Sequence, residues 1–561
     1  MTNYAHPYIP DPKYTTRVAY FSMEYAIHQP LKIYAGGLGY LAGSHLRSAA
    51  HLLQNTIGIG ILWKYGYYDQ TRQQDQHMGS SFVEKHYEFL EPTNVTFQII
   101  VHGAPVQVTA YYLDPKHFGT TPLFLLSTDL PENDYLARTI THRLYDANPE
   151  TKLAQQMLLG IGGVKLLDEL GLTPEIYHLN ESHALPAAFA LYEKHNDWEV
   201  VRRKLVFTNH TPEEAGNQKT DLHVLDRMSF FGQVPIEDVL RVTQQTGPVF
   251  DHTLAAFRLA SMANGVSRMH VETVRRTYKQ HSGLCPTIAI TNAQDHHYWA
   301  DKELYRHLLQ HQIPLLAERK QAMKQPMLEE VSDQTGKIFS PNVLTLVWAR
   351  RFAGYKRPEL LLHDMERFHR LVTNIQFPIQ IIWAGKPYPT DYTAIGTFDR
   401  IVEISKQYSN CAILTGYELR LSRQLKQGAD VWLNTPRVTR EASGTSGMTA
   451  AMNGAINLST LDGWFPEFAR NGINGFVIPT TNYQSPYVEQ DAADATHLYD
   501  LLENIVLPMY YQTPDKWATM MRNSLDDVLP YFDSERMVAD YYDRMYHQEV
   551  VQNPPLQHRS V

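Results

Sequence analysis

The stretch Glu441-Ala442-Ser443-Gly444-Thr445-Ser446-Gly447-Met448-Thr449, continuing through Asn453-Gly454 to Asp462-Gly463-Trp464, carries the residue types best suited to gripping an anion. Small and hydroxyl residues precede an apolar segment, the pattern of a loop feeding a helix whose first N–H groups lack intrahelical partners and point at negative charge. The same pattern also fits a plain capping turn, because Ser and Thr cap many helices that bind nothing. A second concentration is Arg350, Arg351, Lys356 and Arg357, four cations in eight positions directly after the β-branched run 343–348. Cations at the end of a buried strand are costly unless they meet anions. Arginine's fork suits a pair of phosphate oxygens. The alternative is a solvated basic helix start. A third element is Gly36-Gly37-Leu38-Gly39, between an apolar run at 18–21 and a helical pattern at 41–53. Strand, glycine turn and helix in that order form a phosphate cradle around Gly37, Leu38 and Gly39.

Polar residues just past the carboxyl ends of strands line the ligand crevice of doubly wound folds. Two such ends stand about 30 residues apart, Asn180 to His183 and Asn209-His210-Thr211. A lone histidine there is as readily a half-buried hydrogen-bonding residue, but the pair points to a site. Residues 263–270 read as a further loop, Ile288 to Asn292 as another strand end, and Tyr417 stands at the end of the strand 411–414. His296-His297 invites a metal reading, yet neighbours in a chain project differently and no third ligand is evident, so no metal is expected.

These residues need a scaffold of alternating strands and helices. At 561 residues and 43% hydrophobic content the chain can bury two ordinary cores. A net charge of −9 excludes a polyanionic nucleic-acid partner. A neutral polymer or a small metabolite fits better. Cys285 and Cys411 give no disulfide framework, no apolar run is long enough to span a membrane, and no leader pattern opens the chain. A cytoplasmic location is the expectation. Residues 81–128 alternate polar and apolar types, as in an antiparallel insertion or flap, and 153–170 reads as a glycine-interrupted helix packed closely against a neighbour.

EASGTSGMTAAMNGAINLSTLDGW resembles the signature of the glycogen and α-glucan phosphorylases, and several other motifs agree in order from about Val18 to Trp464. The resemblance implies an α/β GT-B glycosyltransferase fold, two Rossmann-like domains facing a central cleft. The expected bounds are 1–320 for the acceptor and sugar side, 321–535 for the donor-phosphate side, and 536–561 for a crossing helix and tail. It implies a retaining hexosyltransferase acting between a phosphate-linked glucosyl donor and an α-glucan or oligosaccharide, with a homodimer as the expected assembly. His210, Arg351, Lys356 and Glu441 match its catalytic positions. Gly37, Leu38, Gly39, Asn180, His183, Asn292, Tyr417, Gly444, Thr445, Ser446 and Gly447 match its substrate- or phosphate-binding positions. Its cofactor is pyridoxal phosphate, held as a Schiff base by the lysine after the Met448 step. Here that position is Thr449, and a hydroxyl forms no imine. The departure leaves three readings: a transferase using a nucleoside-diphosphate sugar without the cofactor, which Thr449 favours; a glucan phosphorylase yielding glucose 1-phosphate; and an inactive glucan-binding homologue.

Overall fold

The computed structural model describes residues 4–212, 217–480 and 482–547. Fully apolar runs such as Val18–Phe21 and Leu344–Ala349, buried on both faces, become the central strands of parallel sheets, as continuous burial requires. The first sheet has nine strands. Its order is Thr287–Ala289, Met262–Gly265, Leu205–Asn209, Ile176–Asn180, Val18–Phe21, Thr56–Ile61, Leu123–Ser127, Ala104–Leu113 and Glu91–Val101. Neighbours are parallel up to Leu123–Ser127, and the last two strands join antiparallel. The stretch 81–128 is therefore mostly the edge of the main sheet and not a separate flap. Residues 263–270, read as a loop, instead hold the end of a strand and the start of helix Arg268–Thr277.

The second sheet is wholly parallel, in the order Cys411–Leu414, Ile379–Ala384, Leu344–Ala349, Val431–Asn434, Ile456–Thr460, Gly475–Ile478. Strand order reverses between Leu344–Ala349 and Val431–Asn434, and in the first sheet between Val18–Phe21 and Ile176–Asn180. Crevices open at such reversals because the two following loops leave in opposite directions. Both anion-suited stretches follow the reversal strands of the second sheet. Asn180 and Gly36 follow those of the first.

The helix read at 153–170 starts earlier, as Pro149–Met157, and joins Gly163–Glu169 through a π-helical turn, Leu158–Gly162. Its glycines are explained by contact: a Cβ on Gly160 would lie 2.5 Å from Ala187 N. The long helix Pro514–Phe532 packs on the second half of the chain, and Ser534–Tyr541 crosses back onto the first. There Met537, Val538 and Tyr541 share a core with Val18, Leu41 and Val206. The terminal segment after 547 lies outside the described residues.

Candidate functional site

The strand Leu344–Ala349 delivers Arg350 and Arg351 to the crevice, and the following turn brings Lys356 back beside them. Arg350 Nη2 and Lys356 Nζ both donate to Glu441 Oε2, at 2.8 and 3.0 Å. Glu441 is held in place by Asp462, whose Oδ2 accepts from the N–H groups of Arg440 and Glu441 at 3.1 and 2.8 Å. Burial, with Glu441's charge adding to it, pushes the Asp462 carboxyl up to about 7. Burial works against Glu441 as an anion as well, but Lys356 and Arg350 hold it below the usual carboxylate range. Burial, reinforced by Arg350, brings the Lys356 ammonium down to about 7, with Glu441 opposing. Arg351 is exposed to solvent yet close to Tyr67 and Tyr145 of the first half.

The turn entering helix Thr445–Ala451 lies against this cluster: a Cβ on Gly444 would be 3.8 Å from Arg350 Nη2. Gly444 has φ +85° and Gly463 φ +59°. A side chain at Gly463 would meet Ser443 O at 2.3 Å, which is why the LDGW segment accompanies the anion-suited stretch. Buried donors remain without partners here: Arg350 Nε and Nη1, Ser443 Oγ and Ser446 Oγ. Buried polar atoms left unsatisfied in a native interior usually mark an absent ligand or water.

Two expectations shift. Gly447 N–H donates to Gly444 O within the turn and so is not free for a phosphate. Its glycine is demanded by packing, since a Cβ would sit 2.7 Å from Asn457 Oδ1 and 2.9 Å from the Trp464 ring. Gly447→Ala destabilises the fold by about 2 kcal/mol, read by chemical denaturation; wild-type stability would return Gly447 to a ligand role. Tyr417 also turns inward, its hydroxyl donating to Ala349 O at 3.1 Å and bracing the strand behind Arg350.

On the opposite wall, Gly37 to Gly39 open the 15-residue helix Gly37–His51, and Glu24, buried and missed in the sequence, accepts from Ala35 N and Gly36 N at 2.6 and 3.0 Å. Tyr145 donates to its other oxygen at 2.8 Å. His210 is oriented by two bonds, Nε2 to Asn180 Oδ1 at 2.7 Å and its own N–H to Glu181 Oε2 at 2.9 Å. Burial takes its pKa down to about 3, so the imidazole is neutral at pH 7. Asn180 is thus a positioning group for His210. His183, with Glu181, Tyr145, Lys152 and Gln156, lines a cavity of about 570 Å³, large enough for sugar units. Asn292 is buried with Oδ1 unsatisfied. A second cavity of about 450 Å³ lies behind the 352–358 turn. Its arginines are already ion-paired, Arg357 with Asp491 and Asp494, and Arg400 with Glu359.

The family model for carbohydrate phosphorylases matches residues 289–474. A maltodextrin phosphorylase of Thermococcus litoralis is 33% identical over 95% of this chain and 71% of its own. The chain belongs to the carbohydrate phosphorylase family. A glycogen phosphorylase of Aquifex aeolicus is 31% identical over 95% of this chain and 86% of its own. An uncharacterized protein of Methanocaldococcus jannaschii is 45% identical over 94% and 99%. This phosphorylase-family chain is accordingly an enzyme of the hexosyltransferase kind with a mixed α/β fold. Among the described residues no helix is long and apolar enough to cross a membrane.

Pyridoxal phosphate, the cofactor implied by the resemblance, has two ends to place in this phosphorylase relative. The unsatisfied Arg350, Ser443 and Ser446 donors suit its phosphate. The attachment end does not fit: Thr449 is buried, and its hydroxyl donates back to Thr445 O and Ser446 O at 3.4 and 3.1 Å. One other amine is nearby. Lys426, on helix Leu419–Gly428, is 1% exposed, with Nζ 3.9 Å from the Trp299 ring centre and 5.3 Å from that of Tyr40. Trp299 O and Thr449 O both accept from Asn453 Nδ2, so the indole beneath Lys426 is tied to the Thr449 helix. Burial alone holds this amine well below the usual lysine range.

Proposed function

We propose that this protein is a retaining glucosyltransferase of glucan phosphorylase type, moving a glucosyl unit between an α-glucan or oligosaccharide and a phosphate group in a cleft between two Rossmann-like domains. The reading divides the chain at 1–320 and 321–535, with 536–561 crossing back; Leu304 and Leu308 already pack in the second core. The observation that carries the proposal is the convergence of Arg350 and Lys356 on Glu441, with Arg350 donors left over, beside a helix whose Met448 shares a core with Tyr40 of helix Gly37–His51.

In this reading the leaving phosphate gathers charge as the glucosyl group takes on oxocarbenium character. Arg351 and Lys356 stabilise that charge, and Glu441 yields part of its hold on Lys356 to the anion while orienting the sugar. Neutral His210, fixed by Asn180, offers its ring to a sugar hydroxyl. No step is routed through the cofactor, because its attachment does not fit at Thr449.

The test is phosphorolysis: protein, maltodextrin and inorganic phosphate, with and without added pyridoxal phosphate, assayed for glucose 1-phosphate. Release of glucose 1-phosphate supports the proposal. Consumption of a sugar nucleotide with no phosphorolysis under either condition would replace it with the second reading, which Thr449 alone favours.

The anion seat also titrates. A bound anion restores the proton that burial removes from Lys356, so binding takes up a proton. Affinity is highest below pH 7 and declines as pH rises through the free amine's value of about 7. Sulfate, whose charge is constant there, is the suitable probe: calorimetry in buffers of differing ionisation enthalpy shows proton uptake near neutral pH. No uptake would mean that Lys356 is already fully charged.

A further inference from the structure

His296 and His297 lie ring against ring, centres 3.8 Å apart, and each finds partners from distant parts of the chain. His296 turns toward Asp533, with Nδ1 3.1 Å from Oδ2, and Asp295 lies alongside. His297 beside it reaches Glu535 and His51. His297 Nε2 is 3.4 Å, and His51 Nδ1 3.5 Å, from Glu535 Oε1. The two imidazoles meet edge to face with ring centres 4.7 Å apart.

We propose that His51, His297 and Glu535 form a binding site for a divalent transition cation of the zinc type. Two imidazoles and one carboxylate are a nitrogen-rich, borderline set that selects zinc, cobalt, nickel or copper over magnesium or calcium. The spacing agrees. Ligands about 2.0–2.1 Å from a tetrahedral metal stand roughly 3.3–3.4 Å from one another, and the two nitrogen-to-carboxylate distances are 3.4 and 3.5 Å. A fourth position would fall to water, since His51 and His297 are exposed and Glu535 is half-buried. The neighbouring triad of Asp295, His296 and Asp533 is a poorer first seat. Asp295 accepts from His297 N and sits near the Arg47 guanidinium, which takes up part of its charge.

The location gives the site a consequence. Asp533 is the joint between helix Pro514–Phe532, packed on the second half of the chain, and helix Ser534–Tyr541, packed on the first. Residue 294 pairs with the same joint, Gln294 N donating to Phe532 O and Ser534 N to Gln294 O. His51 ends the helix whose other end carries Gly37 to Gly39. A cation there clips three separate segments where the chain passes between halves, and so fixes the terminal helix against the helix that opens into the cleft.

The experiment is equilibrium binding of Zn²⁺ to the chelator-stripped full chain, with thermal unfolding followed in parallel. The expected result is one equivalent bound and a Zn²⁺-dependent rise in Tm that EDTA reverses. His297→Gln and His51→Gln each weaken binding about tenfold or more, while His77→Gln, a half-buried histidine paired with Glu403 elsewhere, leaves it unchanged. Unaltered binding in both variants, or no stoichiometric binding to the wild type, overturns the proposal. Because Zn²⁺ affinity is read without substrate, failure here leaves the glucosyltransferase reading standing.

Discussion

Lys356→Ala lowers the rate of glucosyl transfer by about 10²–10³-fold, the loss that follows removal of one preorganised donor from a developing anion. Arg351→Ala has an effect of the same order, because its guanidinium is open to solvent and lies near Tyr67 and Tyr145 of the first half. Glu441→Gln separates binding from turnover. The carboxylate occupies one donor each of Arg350 and Lys356, and with its charge gone those donors face the solvent anion unopposed. Sulfate binding tightens in Glu441→Gln while turnover falls, since the residue that orients the sugar no longer does so. Steady-state kinetics and calorimetry on the three variants check this. If Glu441→Gln weakens sulfate binding, then the carboxylate organises the cations more than it competes with their ligand, and the account of the seat is wrong.

Thr449→Lys takes up pyridoxal phosphate covalently, giving an imine that borohydride reduces and peptide mass mapping places at position 449, whereas the wild type gives no adduct there. The effect is all or none, because threonine has no amine. The reasons to expect uptake are physical: the Arg350 Nε and Nη1 and Ser446 Oγ donors are still unsatisfied beside the turn, and the helix Thr445–Ala451 still presents position 449 behind them. A reduced adduct in the wild type would map to Lys426, the buried amine over Trp299, and would mean that the attachment point moved between helices. No uptake by Thr449→Lys would mean that the space is closed by packing around Met448, Met452 and Tyr40.

The sequence alone determined the scaffold and the chemistry of its anion seat. Continuous apolar runs such as Val18–Phe21 and Leu344–Ala349 can only be strands buried on both faces. The order of strand, glycine turn and helix around Gly36 to Gly39 is local and survived intact. The identity of position 449 is likewise a fact of covalent structure, as no folding turns a hydroxyl into an amine. That Arg350 to Arg357 and Glu441 to Thr449 meet is decided by sheet topology, since the strands before them are neighbours and parallel in the fold.

Tertiary structure alone decided which of those groups face a ligand. Gly447 and Tyr417 read as ligand contacts until packing and hydrogen bonding turned them inward, and Asn180 as a sugar contact until it was found holding His210. Glu24 and Lys426 carried no local signal, because their roles depend on partners from other segments. The same holds for His51, His297 and Glu535. Hundreds of residues separate them in sequence, and only the crossing of the last helix onto the first half brings them within 3.5 Å. Periodicity and spacing report what a residue's neighbours in the chain are, whereas burial, protonation and coordination are set by neighbours in space.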